Sequence, residues 1–180
     1  CHVSSGNLGH VVIPPDELRK IRAAEAKKAG AMAGIEVISA GFDDLEIYDN
    51  NKEARDKIVD VIQYADPDFI ITHGEHEYMV DHSITSTIVF DATMAATVNH
   101  YPSDYPECER YTPIYYMENT FMVNSFPEEF VDITDEIDLK IEMYSHHKSQ
   151  IEWLKVHDNF DMVETVRNFA RTRGLQCDTG

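Results

Sequence analysis

Asp68-Phe69-Ile70-Ile71-Thr72-His73 runs directly into Gly74-Glu75-His76-Glu77-Tyr78-Met79-Val80, and Asp81-His82-Ser83-Ile84 then opens a helical pattern. This stretch decides the fold. An apolar run of that length, closed by a polar loop rather than a tight hairpin turn, reads as a buried strand. The pattern over residues 81–98 puts Ile84, Ile88, Ala92 and Ala95 inward, as one face of a helix. Strand, polar loop and helix recur on both sides of it. Upstream, Pro14-Pro15-Asp16 opens a helix expected over residues 16–33, since prolines suit a first turn and an acid suits the positive end of the dipole. Leu18, Ile21, Ala29 and Met32 lie near one face of it, and Gly34 stops it. A β-rich run at residues 35–39, a loop at 41–44 and a helix at 51–65 follow, the helix burying Ala54, Ile58, Val61 and Ile62 until Pro67. Downstream, residues 99–111 read as a long ordered loop. Strands are expected at 113–118 and 130–133, and helices at 135–153 and 160–173.

Strands alternating with helices of this length imply a parallel sheet covered on both faces, in one domain over residues 1–180. In such sheets the working site lies beyond the carboxyl ends of the strands. The polar loops at 6–10, 41–45 and 73–82 all qualify.

Composition narrows the function classes. The chain holds 180 residues, 43% of them hydrophobic, and sets 15 Lys plus Arg against 33 Asp plus Glu for a formal charge of −18. So acidic a surface repels phosphate backbones and anionic lipid, which argues against nucleic-acid and membrane partners. No apolar run reaches the roughly 18 residues needed to span a bilayer. Three irregularly spaced cysteines, Cys1, Cys108 and Cys177, suggest neither a disulfide framework nor a thiolate metal knuckle, and fit a reducing, cytoplasmic setting. The first residue is Cys, and Cys1–Ser5 reads like the end of a strand running into a glycine turn, so the printed chain is expected to start inside a longer one.

The densest chemistry is in residues 73–82, with three imidazoles and three carboxylates in ten positions. Imidazole nitrogen and carboxylate oxygen are the donors of a catalytic zinc, which takes three protein ligands and leaves room for water. The plainer alternative makes Asp81 an N-cap and leaves the histidines in solvent.

The order Thr72-His73, Tyr78-x-x-Asp81-His82, Thr85-Ser86 resembles the second motif of the PIG-L/LmbE deacetylases, commonly Asp-Tyr-His-Pro-Asp-His. Ser5-Gly6-Asn7-Leu8-Gly9, Arg22-Ala23-Ala24-Glu25, Gly41-Phe42-x-Asp44, Val131-Asp132-Ile133-Thr134 with Lys140, and His147-Lys148-Ser149-Gln150 resemble further motifs of that family in the right order. The resemblance implies a three-layer α/β/α, Rossmann-like, mostly parallel LmbE-like sheet, here truncated at its N-terminus. It also implies a zinc-dependent N-deacetylase (another divalent metal would serve) acting on a small N-acetyl sugar of the N-acetylglucosamine type or a glycoconjugate. Relatives in the family often form rings of identical subunits, and by that analogy a homo-oligomer is expected.

Carried over residue by residue, His82 is a metal ligand, Arg22 and Asp44 contact substrate, and Asp81 belongs to the catalytic machinery as the carboxylate that orients a neighbouring imidazole. The sequence departs from the family twice. The N-terminal His-Pro-Asp-Asp, which supplies the other ligands and the general base, is not in it, and Met79 stands where the family often has a histidine. His76, Tyr78 or His147 is left to supply the oxyanion donor that this histidine would give, with His147 preferred and Tyr78 also carried as catalytic. The residue-level alternatives are a helix-surface salt bridge for Arg22, a turn residue at Asp44 and a surface imidazole at His147. These departures leave a rival reading, a metal-free binding or scaffold protein on the same fold.

Overall fold

The structure is a computed structural model that describes residues 1–48, 51–122 and 124–177. Among the described residues four short strands and six helices follow one another: β1 (His2–Ser4), α1 (Pro15–Met32), β2 (Ser39–Phe42), α2 (Lys52–Ala65), β3 (Ile70–His73), α3 (Val80–Ala95), β4 (Ile114–Met117), α4 (Ile137–Ser145), α5 (Lys148–His157) and α6 (Met162–Gly174). The class is the α/β arrangement with parallel strands that the alternation implies. β1 pairs with β2, and β3 pairs with β4 in the register Ile70 to Ile114 through His73 to Met117, both parallel.

The chain forms two compact units. The first takes Cys1–Ser4 and Ile38–Phe126, the second Ser5–Val37 and Pro127–Gly180. In the first, α2 packs on α3, α2 on β2, and α3 on β3. Their shared core holds Ile47, Ala54, Ile58, Val59, Ile62, Ile88, Val89, Ala92, Ala95, Ala96 and Cys108, flanked by Val3, Phe42, Ile70 and Ile114. Small residues on α3 are why this works, because Ala92, fully buried, lets the α2 backbone approach closely. Gln63, also buried, donates its amide to the Ala96 carbonyl at 2.9 Å and so satisfies the helix end inside the core. Asn51 caps α2 by accepting from the Ala54 N–H at 3.1 Å. In the second unit α1 packs on α4 and α5, and α6 on the same two.

Three expectations need correction. The β-run at 35–39 is displaced, and β2 is Ser39–Phe42. Ile35 is taken up by the end of α1, where its N–H reaches the Gly30 carbonyl and Gly34, at φ +67°, donates to Ala31. That is a Schellman close, and it turns the chain before it can extend. No strand forms at 130–133, because the Asp132 carboxylate accepts from both the N–H and the hydroxyl of Thr134 and makes a turn there. The helix expected over 135–153 is two helices. The Ser145 hydroxyl bonds back to the Ile141 carbonyl, His146 and His147 close with three-residue turns, and α5 starts afresh at Lys148.

Candidate metal centre

β3 delivers His73 to its carboxyl end because the strand alternates as its core face requires. Thr72 is buried and Ile71 exposed, and the last residue of the strand lies opposite Met117 of β4. The chain then loops over residues 74–79 and re-enters order at Val80, so His82 falls in the first turn of α3. Asn119, itself buried, pins the loop by donating to the His76 carbonyl at 3.4 Å. The His76 side chain is left exposed, outside the group.

This closure stacks the His73 and His82 rings 4.0 Å apart at 13°. Glu77 lies against both. Its Oε1 is 3.5 Å from His73 Nδ1 and its Oε2 is 3.5 Å from His82 Nδ1, with the Glu77 side chain only 1% exposed. Both separations are longer than the usual 2.9 Å or so of such bonds, and Glu77 acts on His73 through a hydrogen-bonding as well as a charge interaction. Among the described residues, Glu77 Oε2 and His82 Nδ1 are buried with no hydrogen-bond partner. An ionised carboxylate so placed costs several kcal/mol, roughly, unless a positive charge compensates it. Burial and the neighbouring His82 pull the His73 pKa down against the opposing pull of Glu77, so its ring nitrogen keeps a lone pair near neutral pH. One ligand atom from each of the three side chains fits within a sphere of mutual distances no greater than 4.8 Å.

Tyr78 stands edge-on to His82 at 5.3 Å and to Phe121 at 4.7 Å. Burial, then the Glu77 charge, raises its pKa, so the phenol remains a proton donor. A cavity of about 90 Å³ opens beside these groups, lined also by Asn119 and Thr120.

Asp81 does not cap α3, whose cap residue is Met79. Its Oδ2 accepts the Leu45 N–H at 2.7 Å instead, and the Asp44 carboxylate accepts the Ser4 hydroxyl at 2.8 Å, so both carboxylates brace the loop after β2. In the second unit Arg22 donates to the Gly6 carbonyl at 2.6 Å, to the Gly9 carbonyl at 3.1 Å and to the Gln150 side chain. Glu25 accepts from the N–H and the hydroxyl of Ser149. His147 precedes α5, and burial, with Arg22 and His146 acting in the same sense, lowers its pKa against the pull of Glu25. The motif residues of the second unit therefore clamp the loop at 6–9 to α1 and α5.

The structure thus brings His73, Glu77, His82 and Tyr78 together. Sequence reasoning singles out His82 and Tyr78 from this group and passes over His73 and Glu77. The spacing His73-x3-Glu77-x4-His82 is visible in the chain, but it spans a strand end, a loop and a helix start, so no single periodicity aligns it.

The family model described as PIG-L, GlcNAc-PI de-N-acetylase, matches residues 1–93. No curated protein matches the chain. Among solved structures, the 4-carboxy-2-hydroxymuconate hydratase GalB of Pseudomonas putida aligns with a TM-score of 0.81 at 20% identity, over 97% of this chain and 72% of its own. The conserved protein TT1542 of Thermus thermophilus aligns at 0.79 and 20%, over 98% and 74%. The N,N'-diacetylchitobiose deacetylase of Pyrococcus horikoshii aligns at 0.73 and 19%, over 96% and 64%. These likenesses show a shared fold.

Proposed function

The chain belongs to the GlcNAc-PI de-N-acetylase (PIG-L) family, and from that membership we propose that it is a metal-dependent N-deacetylase acting on an N-acetylated sugar. One observation carries the reading: His82, the position the family motif assigns to metal, has a buried Nδ1 without a hydrogen-bond partner among the described residues, facing a buried carboxylate. A divalent cation satisfies both atoms at once, and imidazole with carboxylate is a donor set suited to zinc. The residues therefore fit the metal that the family implies.

When bound, such an ion polarises a carbonyl and makes water acidic. His82 would hold it from the first turn of α3. The phenol of Tyr78, protonated and beside His82, is placed to donate to oxygen that gains charge during amide hydrolysis. Asp81 and Asp44 fix the loop after β2, and Arg22 fixes the loop at 6–9, so their part is to position backbone. The acetamide substrate, small and neutral, suits a chain with a formal charge of −18, which would repel an anionic polymer. Assembly into a homo-oligomer belongs to the same proposal by family analogy.

The test is direct. The zinc-loaded full chain is incubated with N-acetylglucosamine conjugates, and acetate and free amine are measured together. Equal release of both, abolished in His82→Ala, is expected. A protein that carries stoichiometric metal yet frees no acetate from any acetamido sugar rules the proposal out. The hydratase among the structural neighbours makes a control with an unsaturated carboxylic acid informative, since water addition there changes ultraviolet absorbance and releases nothing.

A further inference from the structure

α3 is apolar on two sides. Ile88, Val89, Ala92 and Ala95 are buried against the core, yet Phe90 and Met94, one turn apart on the outward side, are 64% and 60% exposed. A helix at the surface of a lone molecule carries polar residues on its outer face. Beside this pair stand Tyr111, 64% exposed, and Tyr116 of β4, 44% exposed. Together with Ile114 and Asp91 the four side chains line a groove of about 410 Å³. We infer that this face of α3 and β4 docks a second copy of the same chain, aromatic and aliphatic side chains of one against those of the other about a two-fold axis. The inference gives the proposed homo-oligomer a surface and rests on that part of the reading above, not on the deacetylase chemistry.

Charge selects the occupant. In a two-fold contact each patch meets itself, so any uncompensated charge meets its like. A chain with 33 acidic and 15 basic residues can therefore pair with itself only where that excess is missing. Of the residues lining the groove, Asp91 alone carries a charge, and Arg55 Nη1 lies 3.0 Å from its Oδ2. The patch is thus close to neutral, and it offers no counter-charge to a basic partner protein. Glu75, exposed and outside the lining, acts on the Tyr116 phenol and adds to the repulsion between two acidic bodies at low salt. Size agrees with the assignment. At roughly 200 Å² for a side chain of this kind, the four leave on the order of 450 Å² open on each copy, so pairing would cover about 900 Å² from them alone. A specific interface needs about 1,000–1,200 Å² in all, which leaves little for the rim to supply.

The experiment is sedimentation of the full chain at graded protein and salt concentrations. A monomer–dimer equilibrium is expected between about 1 and 100 μM. Raising NaCl from about 0.05 to 0.5 M should tighten it about fivefold or more, because screening lifts the repulsion and leaves the apolar contact in place. Phe90→Asp and Met94→Lys should each weaken it by about 100-fold, while Phe90→Leu retains it. Both side chains are exposed, so circular dichroism of the variants should match that of the unaltered chain. An assembly that both charged variants leave intact, or that salt dissolves, overturns this surface. A chain that stays monomeric throughout leaves the face to another occupant and overturns the homo-oligomer as well. Metal content and acetate release, read on the same samples, judge the deacetylase proposal separately.

Discussion

Replacing Asp81 by alanine isolates what this residue does from what the family motif suggests for it. Its Oδ2 takes the Leu45 N–H at 2.7 Å, within the range of a charge-assisted bond, and Leu45 sits at φ +62°, where a branched side chain is strained. Hydrogen bonds to charged groups contribute about 1.5–3 kcal/mol. Leu45 is 59% exposed, so water can reach its freed N–H, and the lower figure, about 1.5 kcal/mol, applies. For a chain of this size each kcal/mol moves the melting temperature by about 2–4 °C, so Asp81→Ala should lower it by roughly 3–6 °C. Asp81→Asn keeps an acceptor without the charge and should lose about half as much. Denaturant unfolding measures the energy, and hydrogen exchange at the Leu45 amide localises it, with exchange expected to rise roughly tenfold for Asp81→Ala. Leu45→Gly in the alanine background should recover part of the loss, since glycine adopts that φ freely. An unchanged Leu45 exchange rate together with an unchanged midpoint would refute the bracing role.

Two further outcomes are expected. Gly6→Ala should destabilise more than Gly41→Ala although both have positive φ, because the new methyl would collide with the Arg22 guanidinium at Gly6 and meet nothing within 4 Å at Gly41; parallel urea titrations compare them. For Asp56, burial alone would raise the pKa, but the bonds from Lys52 and from the Tyr101 hydroxyl at 2.5 Å outweigh it, and the folded value is depressed. Its stabilising share is therefore present above the ordinary carboxylate value near 3.9 and lost as pH falls through the folded value. Asp56→Asn should therefore lower stability at pH 7, flatten that acid limb of the stability curve and change little near pH 2, which melts at graded pH between about 2 and 7 would show or deny.

The helices and the first apolar strand were legible because their signals are local. Leu18 and Ala29 on α1, Ala54, Ile58 and Ile62 on α2, and Ile88, Ala92 and Ala95 on α3 are buried as their spacing requires. The end of α1 misled because Ile35, Val37 and Ile38 look like a strand, while the Schellman close spends Ile35 on the cap and Val37 packs against Gly30. At 130–133 the apolar residues suggested a strand, and one aspartate side chain bonding locally was enough to prevent it. The site shows the same divide. Composition exposed the dense cluster of imidazoles and carboxylates, but which two of three histidines face inward depends on Asn119, some 40 residues later, seizing the His76 carbonyl. A contact so distant in sequence leaves no periodic trace.

The two compact units are interleaved along the chain, and this limits how the molecule can be dissected. Residues 38–126 contain His73, Glu77 and His82, yet β2 within that span takes its hydrogen-bonding neighbour from Cys1–Ser4, across a connection that belongs to the other unit. A recombinant fragment cut at any single place would leave Ser39–Phe42 with a bare edge or carry along a helix stripped of its companions. Pairing of His2 with Ser39 must also await the closing of a long intervening loop, an entropic cost that puts this contact late in assembly.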